Sequence, residues 1–198
     1  MKYFIFLLSI SSLTCISIYS LGQIPSNEAQ IATAMLAAPD NMKKNATVLG
    51  YDKEGKLVTL KKGSNDMICL ADDPEKKGFN VACYQKELEP FMARGRELRA
   101  EGKSQGEIFE IRGEEIKSGL LAIPKGATLN IFYATEEQYD KEAGKVEGGN
   151  KRYVVYLPYA TAETTGLPLK PEMPGGPWLM QPGTHRAHIM ITPELKNN

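Results

Sequence analysis

The chain opens on a long apolar run and then breaks into short segments, some alternating at every second residue and some at every third or fourth. Tyr3 to Tyr19 is dominated by Phe, Ile, Leu and Ser and carries no charge. Met1-Lys2 precedes it as a short positive region, and Ser20 and Gly22 place small residues just before Gln23. That layout predicts a secretory signal peptide over residues 1–22, cleaved near Gly22/Gln23. The alternative is an N-terminal membrane anchor, because the uncharged stretch runs on to Asn27 and approaches the roughly 20 residues of a spanning helix. Interrupting Ser and Thr residues and the lack of a following Lys/Arg cluster favour removal. Leu13-Thr14-Cys15 is a poor lipobox, which argues against lipidation at Cys15.

Beyond Gln23 the pattern predicts one α+β domain over residues 23–198: a mainly antiparallel sheet with two to three helices packed on one side. Ser26 can cap a helix reaching Ala38, with Ile31, Met35 and Ala38 on one face. Thr47–Tyr51 and Lys56–Lys61 read as strands joined by a turn ending in Gly55. Strands over Asp66–Ala71 and Phe79–Tyr84 follow, then a helix over Leu88–Ala100. Ser104 with Glu107 forms a capping-box pattern opening a helix to about Lys117. Thr128–Ala134 and Tyr153–Tyr159 return to strand character, and Glu136 to Lys141 fits one short helix between them. Six of the twelve prolines fall between Pro158 and Pro182, marking a Pro/Gly-rich loop at about 158–183 before a last strand, Ala187–Thr192.

Composition narrows the partners. After removal of residues 1–22 the net charge is about −1, and the longest basic runs are pairs such as Lys76-Lys77. Nucleic acid is excluded on that ground, since its binding rests on clustered Lys/Arg. The mature protein is not expected to be integral to a membrane. Loss of Cys15 leaves Cys69 and Cys83, an even pair in an oxidising compartment, and predicts a disulfide between them. Their spacing is not that of a CxxC redox or metal motif. Asn45-Ala46-Thr47 matches a glycosylation sequon, a pattern that chance readily supplies.

No catalytic signature stands out, and no cofactor is implied. The sequence holds neither GxSxG nor a phosphate-binding glycine loop, and Ser26, Ser64, Ser104 and Ser118 all sit at apparent caps and turns. Asp72-Asp73, Glu114-Glu115 and Glu136-Glu137 read as solvated carboxylate pairs. The only two histidines, His185 and His188, flank Arg186-Ala187; with Met180 and Met190 they form a candidate copper or zinc ligand set. A strand beginning at His185 would send the two imidazoles to opposite faces. Hydrogen-bonding histidines without metal are the favoured reading. Trp178, the single Trp, stands in a rigid Gly/Pro frame, where it either pins the loop to the core, the weightier reading, or contacts a ligand. Tyr153, Tyr156 and Tyr159 with Arg152 could extend such a surface. The expectation is an exported, non-enzymatic module binding a small molecule or protein through Trp178, Met180, His185, Arg186, His188 and Tyr156. The alternative is a secreted hydrolase or metal-dependent protein using His185 and His188.

Overall fold

A computed structural model describes residues 24–194. The expected signal peptide, its cleavage point and Cys15 lie outside the described residues. Among the described residues no helix is long and apolar enough to cross a membrane.

The chain begins with α1 (Asn27–Ala34), capped by Ser26, whose hydroxyl accepts the Ala29 N–H at 3.2 Å, and continues as a 3-10 turn over Met35–Ala37. After the single turn α2 (Asp40–Lys43) come strands β1 (Thr47–Tyr51), β2 (Leu57–Lys61), β3 (Met67–Leu70) and β4 (Phe79–Gln85). Two helices follow, α3 (Glu89–Ala100) and α4 (Gln105–Lys117). The capping box is present: Ser104 N–H donates to Glu107 Oε2 at 2.9 Å and Glu107 N–H to Ser104 Oγ at 3.3 Å. Then come β5 (Thr128–Ala134), the small pair β6 (Tyr139–Asp140) and β7 (Lys145–Val146), β8 (Asn150–Tyr156), α5 (Ala162–Thr165), β9 (Trp178–Met180) and β10 (His188–Ile191).

Eight strands form one sheet in the order β2-β1-β3-β4-β5-β8-β10-β9. Among the described residues only β1 and β3 pair in parallel; every other neighbour is antiparallel. The result is an α+β fold on a mixed sheet. Strand alternation builds two cores, one on each face. Phe79, Val81 and Cys83 of β4 point to the first, where they meet Val48, Cys69, Phe132 and the Ala-rich end of α1. Ala82 and Tyr84 point to the second, with Leu129, Val154, Tyr156 and Met190 under Phe91 of α3 and Ile116 of α4. The two long helices therefore share one side, while α1 covers the other.

The disulfide joins Cys69 to Cys83, directly opposed residues of β3 and β4 with Cα atoms 4.0 Å apart, and both are fully buried. Between α3 and α4 an arginine takes the place of an apolar residue. Arg112 is 7% exposed, lies 4.0 Å over the Phe91 ring and donates from Nη1 to the Phe91 carbonyl at 3.1 Å. Gly95 makes this possible, since a Cβ there would stand 2.8 Å from Arg112 Nη1.

Three segments depart from the pattern reading. The first is 158–183, which carries α5 and β9 where the pattern predicts one Pro/Gly-rich loop, because β9 pairs with β10. Glu136–Lys141 is not helical: its end forms β6, pairing with β7, because the Tyr139 ring is buried against Phe79 at 4.5 Å. The eighth strand begins at Asn150 and ends at Tyr156, earlier at both ends than its apolar residues suggest. Its polar start is held by pairing with Tyr133 and Phe132 of β5.

Candidate functional site

The register of β8, β10 and β9 brings several of the singled-out residues onto one face. Tyr156, His188 and Met180 lie side by side across the three strands, and Met190 pairs with Trp178 in the next row. His188 is 5% exposed, with its ring 5.7 Å from that of Tyr156. Its Nδ1–H donates to the Arg186 carbonyl at 2.6 Å, which places the neutral imidazole's lone pair on Nε2. Burial lowers its pKa, the Arg186 bond opposes this, and the Arg186 charge lowers it further.

His185 stands apart. The strand starts at His188, so His185 lies in the preceding turn, where Ala187 N–H donates to Thr184 O at 3.1 Å. Its ring packs 4.6 Å from Phe109 and against Gly113, where a Cβ would come within 3.1 Å of Nδ1. Burial first, then Arg186 and Arg112, push its pKa down to about 4, so it is neutral at pH 7. Its Nε2 has no hydrogen-bond partner among the described residues. Arg186 lies 5.9 Å over the Phe109 ring. Among the described residues no three His, Cys, Asp or Glu side chains converge to hold a metal.

Trp178 is half-buried. It rests on the second core and also lines a cavity of about 520 Å³ with Pro171, Met173, Pro174, Gly176 and Thr192. His185 lines a different, smaller hollow of about 180 Å³ with Phe109, Thr184 and Tyr159. The Trp178 cavity thus excludes both histidines and Arg186. Two non-glycine residues hold left-handed backbone beside the smaller hollow, Tyr159 (φ 64°) and Gln181 (φ 53°). The crossing bonds Tyr159 N–H to Thr184 O and Gly183 N–H to Ala160 O, each 2.8 Å, lock the two turns together.

A second constellation was not singled out from the sequence. A cleft of about 390 Å³ lies between the β3–β4 loop and α3, with Tyr51, Leu70 and Ala82 of the sheet beneath it. Asp72 and Asp73 line it from the loop, Arg96 and Arg99 from the helix. Arg96 is fixed by Glu89 at 2.6 Å and by the Tyr84 hydroxyl at 3.1 Å. Burial raises the Tyr51 hydroxyl to about 12, helped by Asp73 and Asp72. Adjacent acids in a polar loop look solvated in sequence; the helix roof over them is contributed by residues some twenty positions later.

Asp72 is the unusual member. Burial raises its carboxyl from 3.8 to about 6, against the lowering effect of the Asn80 N–H that it accepts at 2.8 Å. A folded-state value above the unfolded one means that the ionised carboxylate subtracts stability. The loss is absent below about pH 4, grows with pH and is complete above about pH 6. Asp72→Asn should accordingly stabilise the protein at pH 7 by about 1–2 kcal/mol, less than the full shift because the group is partly exposed. At about pH 3 the two proteins should melt alike. Urea melts at both pH values check this.

No protein-family model, curated protein or solved structure matches the chain.

Proposed function

We propose that the protein is an exported, non-enzymatic binding module that uses the Pro/Gly-rich segment around Trp178 to hold an apolar or aromatic ligand, either a small molecule or a side chain of a protein partner. The observation that carries this reading is the half-buried single Trp lining a cavity of about 520 Å³. That size falls within the range of small-molecule sites. An indole fixed on the second core loses little entropy on contact, and Met173, 67% exposed, offers an adaptable apolar surface beside it. The buried disulfide is consistent with an oxidising compartment. The rival reading, a hydrolase or metal-dependent protein, has less behind it. Neither His185 nor His188 is hydrogen-bonded to a hydroxyl or carboxylate among the described residues.

The test uses 1-anilinonaphthalene-8-sulfonate as an apolar probe. Its binding to the native protein should shift the emission of Trp178, and Met173→Asp should weaken binding by about tenfold by placing a charge against the bound ring. Because Met173 is exposed, the variant should melt within about 2 °C of the parent. Equal binding by both proteins, or an unaltered Trp spectrum, overturns the reading.

A further inference from the structure

We propose that the cleft between the β3–β4 loop and α3 binds a small zwitterion: a free amino acid or short peptide carrying one ammonium and one carboxylate. The cleft belongs to the β1, β3 and β4 half of the sheet, whereas Trp178 lies on the terminal strand of the other half. It is therefore separate from the site proposed above.

Charges of both signs line the cleft. The loop wall carries the internally neutralised Asp73 beside Asp72 and Lys77, which have no ion-pair partner among the described residues, and the helix wall carries the neutralised Arg96 beside Arg99. On the loop side, Asp73 is paired with Lys76 at 2.6 Å. Asp72 accepts the Asn80 N–H but has no ion-pair partner among the described residues. On the helix side, Arg96 is paired with Glu89 at 2.6 Å, whereas Arg99 has no ion-pair partner among the described residues. The paired members fix the walls; Asp72 presents a carboxylate and Arg99 a guanidinium of opposite sign, with the Lys77 ammonium also on the loop wall.

Between the walls the floor is apolar, made by Leu70, Ala82 and the Tyr51 ring. Tyr51 lines the same cleft as the two acids and both arginines. A simple anion drawn to Arg99, or to Lys77 on the loop, would also meet the Asp72 carboxylate. A simple cation at Asp72 would meet the guanidinium. A molecule with ammonium and carboxylate at its two ends and an apolar middle satisfies both walls at once. A volume of about 390 Å³ accommodates such a ligand.

Calorimetric titration of the disulfide-bonded protein with L-alanine, dialanine and trialanine tests this. Controls are N-acetyl-dialanine, dialanine amide and inorganic phosphate. At least one unblocked compound should bind with one-to-one stoichiometry, and removal of either terminal charge should weaken that binding by about tenfold or more. Asp72→Asn and Arg99→Gln should each cause a similar loss, and both should fold, the first being stabilised and the second altering an exposed side chain. Met173→Asp should bind the zwitterion as well as the parent does, which separates this site from the Trp178 cavity. No binding of any unblocked compound up to about 10 mM overturns the proposal. Equal binding of a blocked peptide or of phosphate overturns it too, in favour of a single-charge site.

Discussion

Gly63→Ala should destabilise the protein by about 3 kcal/mol or more, among the larger effects a single added methyl group can produce. The β2–β3 turn at Gly63 lies directly on the backbone that enters β1. A Cβ on Gly63 would stand 2.2 Å from the Asn45 carbonyl oxygen and 2.4 Å from Ala46 C and Thr47 N. These are main-chain atoms, which cannot rotate away as the end of a side chain can. Neighbouring bonds tie the same segments together: Gly63 N–H donates to Thr47 Oγ1 at 3.1 Å and Ser64 N–H to Asn45 O at 2.9 Å. Relief of the clash must therefore separate the turn from β1. The melting temperature should fall by about 6–12 °C. Gly106→Ala is the matched control: nothing lies within 4 Å of its Cβ, and it sits in the first turn of α4. That substitution should be neutral or stabilising by up to about 1 kcal/mol. Comparable losses in the two variants would refute the backbone-contact argument.

Removal of the disulfide is the second large effect. Cys69 and Cys83 are separated by 14 residues, and opening a loop of that size costs about 3 kcal/mol in the chain-entropy description. Cys69→Ala with Cys83→Ala also removes two sulfur atoms from the first core, where both residues are fully buried, so a total of about 3–5 kcal/mol is expected. The urea m-value should rise as well, because the unfolded chain without its cross-link exposes more surface. Burial carries a kinetic corollary. A thiol reductant should leave the native protein oxidised and act only when denaturant exposes the sulfurs. Rapid alkylation of both cysteines after mild reduction of the folded protein would contradict the buried placement.

Local patterns made much of the fold legible. The cap at Ser26, the box at Ser104 and Glu107, and the alternation in β1 to β5 are each encoded within a few neighbouring residues. The disulfide followed from two adjacent strands and an even cysteine count. What escaped was set by partners far along the chain. The parallel pairing of β1 with β3 has no local signature. The strand Trp178–Met180 is three residues long inside a proline-rich segment, and becomes a strand because β10 is beside it. Tyr139 is drawn out of a helical pattern by Phe79, sixty residues earlier in the chain. Of the candidate site, the shared row of Tyr156, His188 and Met180 depends on a register that spacing alone does not provide. His185 and His188 are both buried because Gly113 and the β8–β10 pairing make room for them. The cleft at Asp72 escaped for the same reason: its roof comes from α3, and Arg96 and Arg99 read in isolation as ordinary charges on a helix.

The two ends of the sheet differ in a way that bears on self-association. At β9 the Leu179 N–H already donates to the Pro168 carbonyl at 2.8 Å, so the preceding loop covers that edge. At the other end β2 has no further strand beside it among the described residues and is flanked by Lys56 and Lys62, charges that oppose a second strand. Two copies joined through β2 would each present only the covered edge outward. Edge pairing in the native state therefore terminates at a dimer, and a growing cross-β polymer would require this sheet to come apart first.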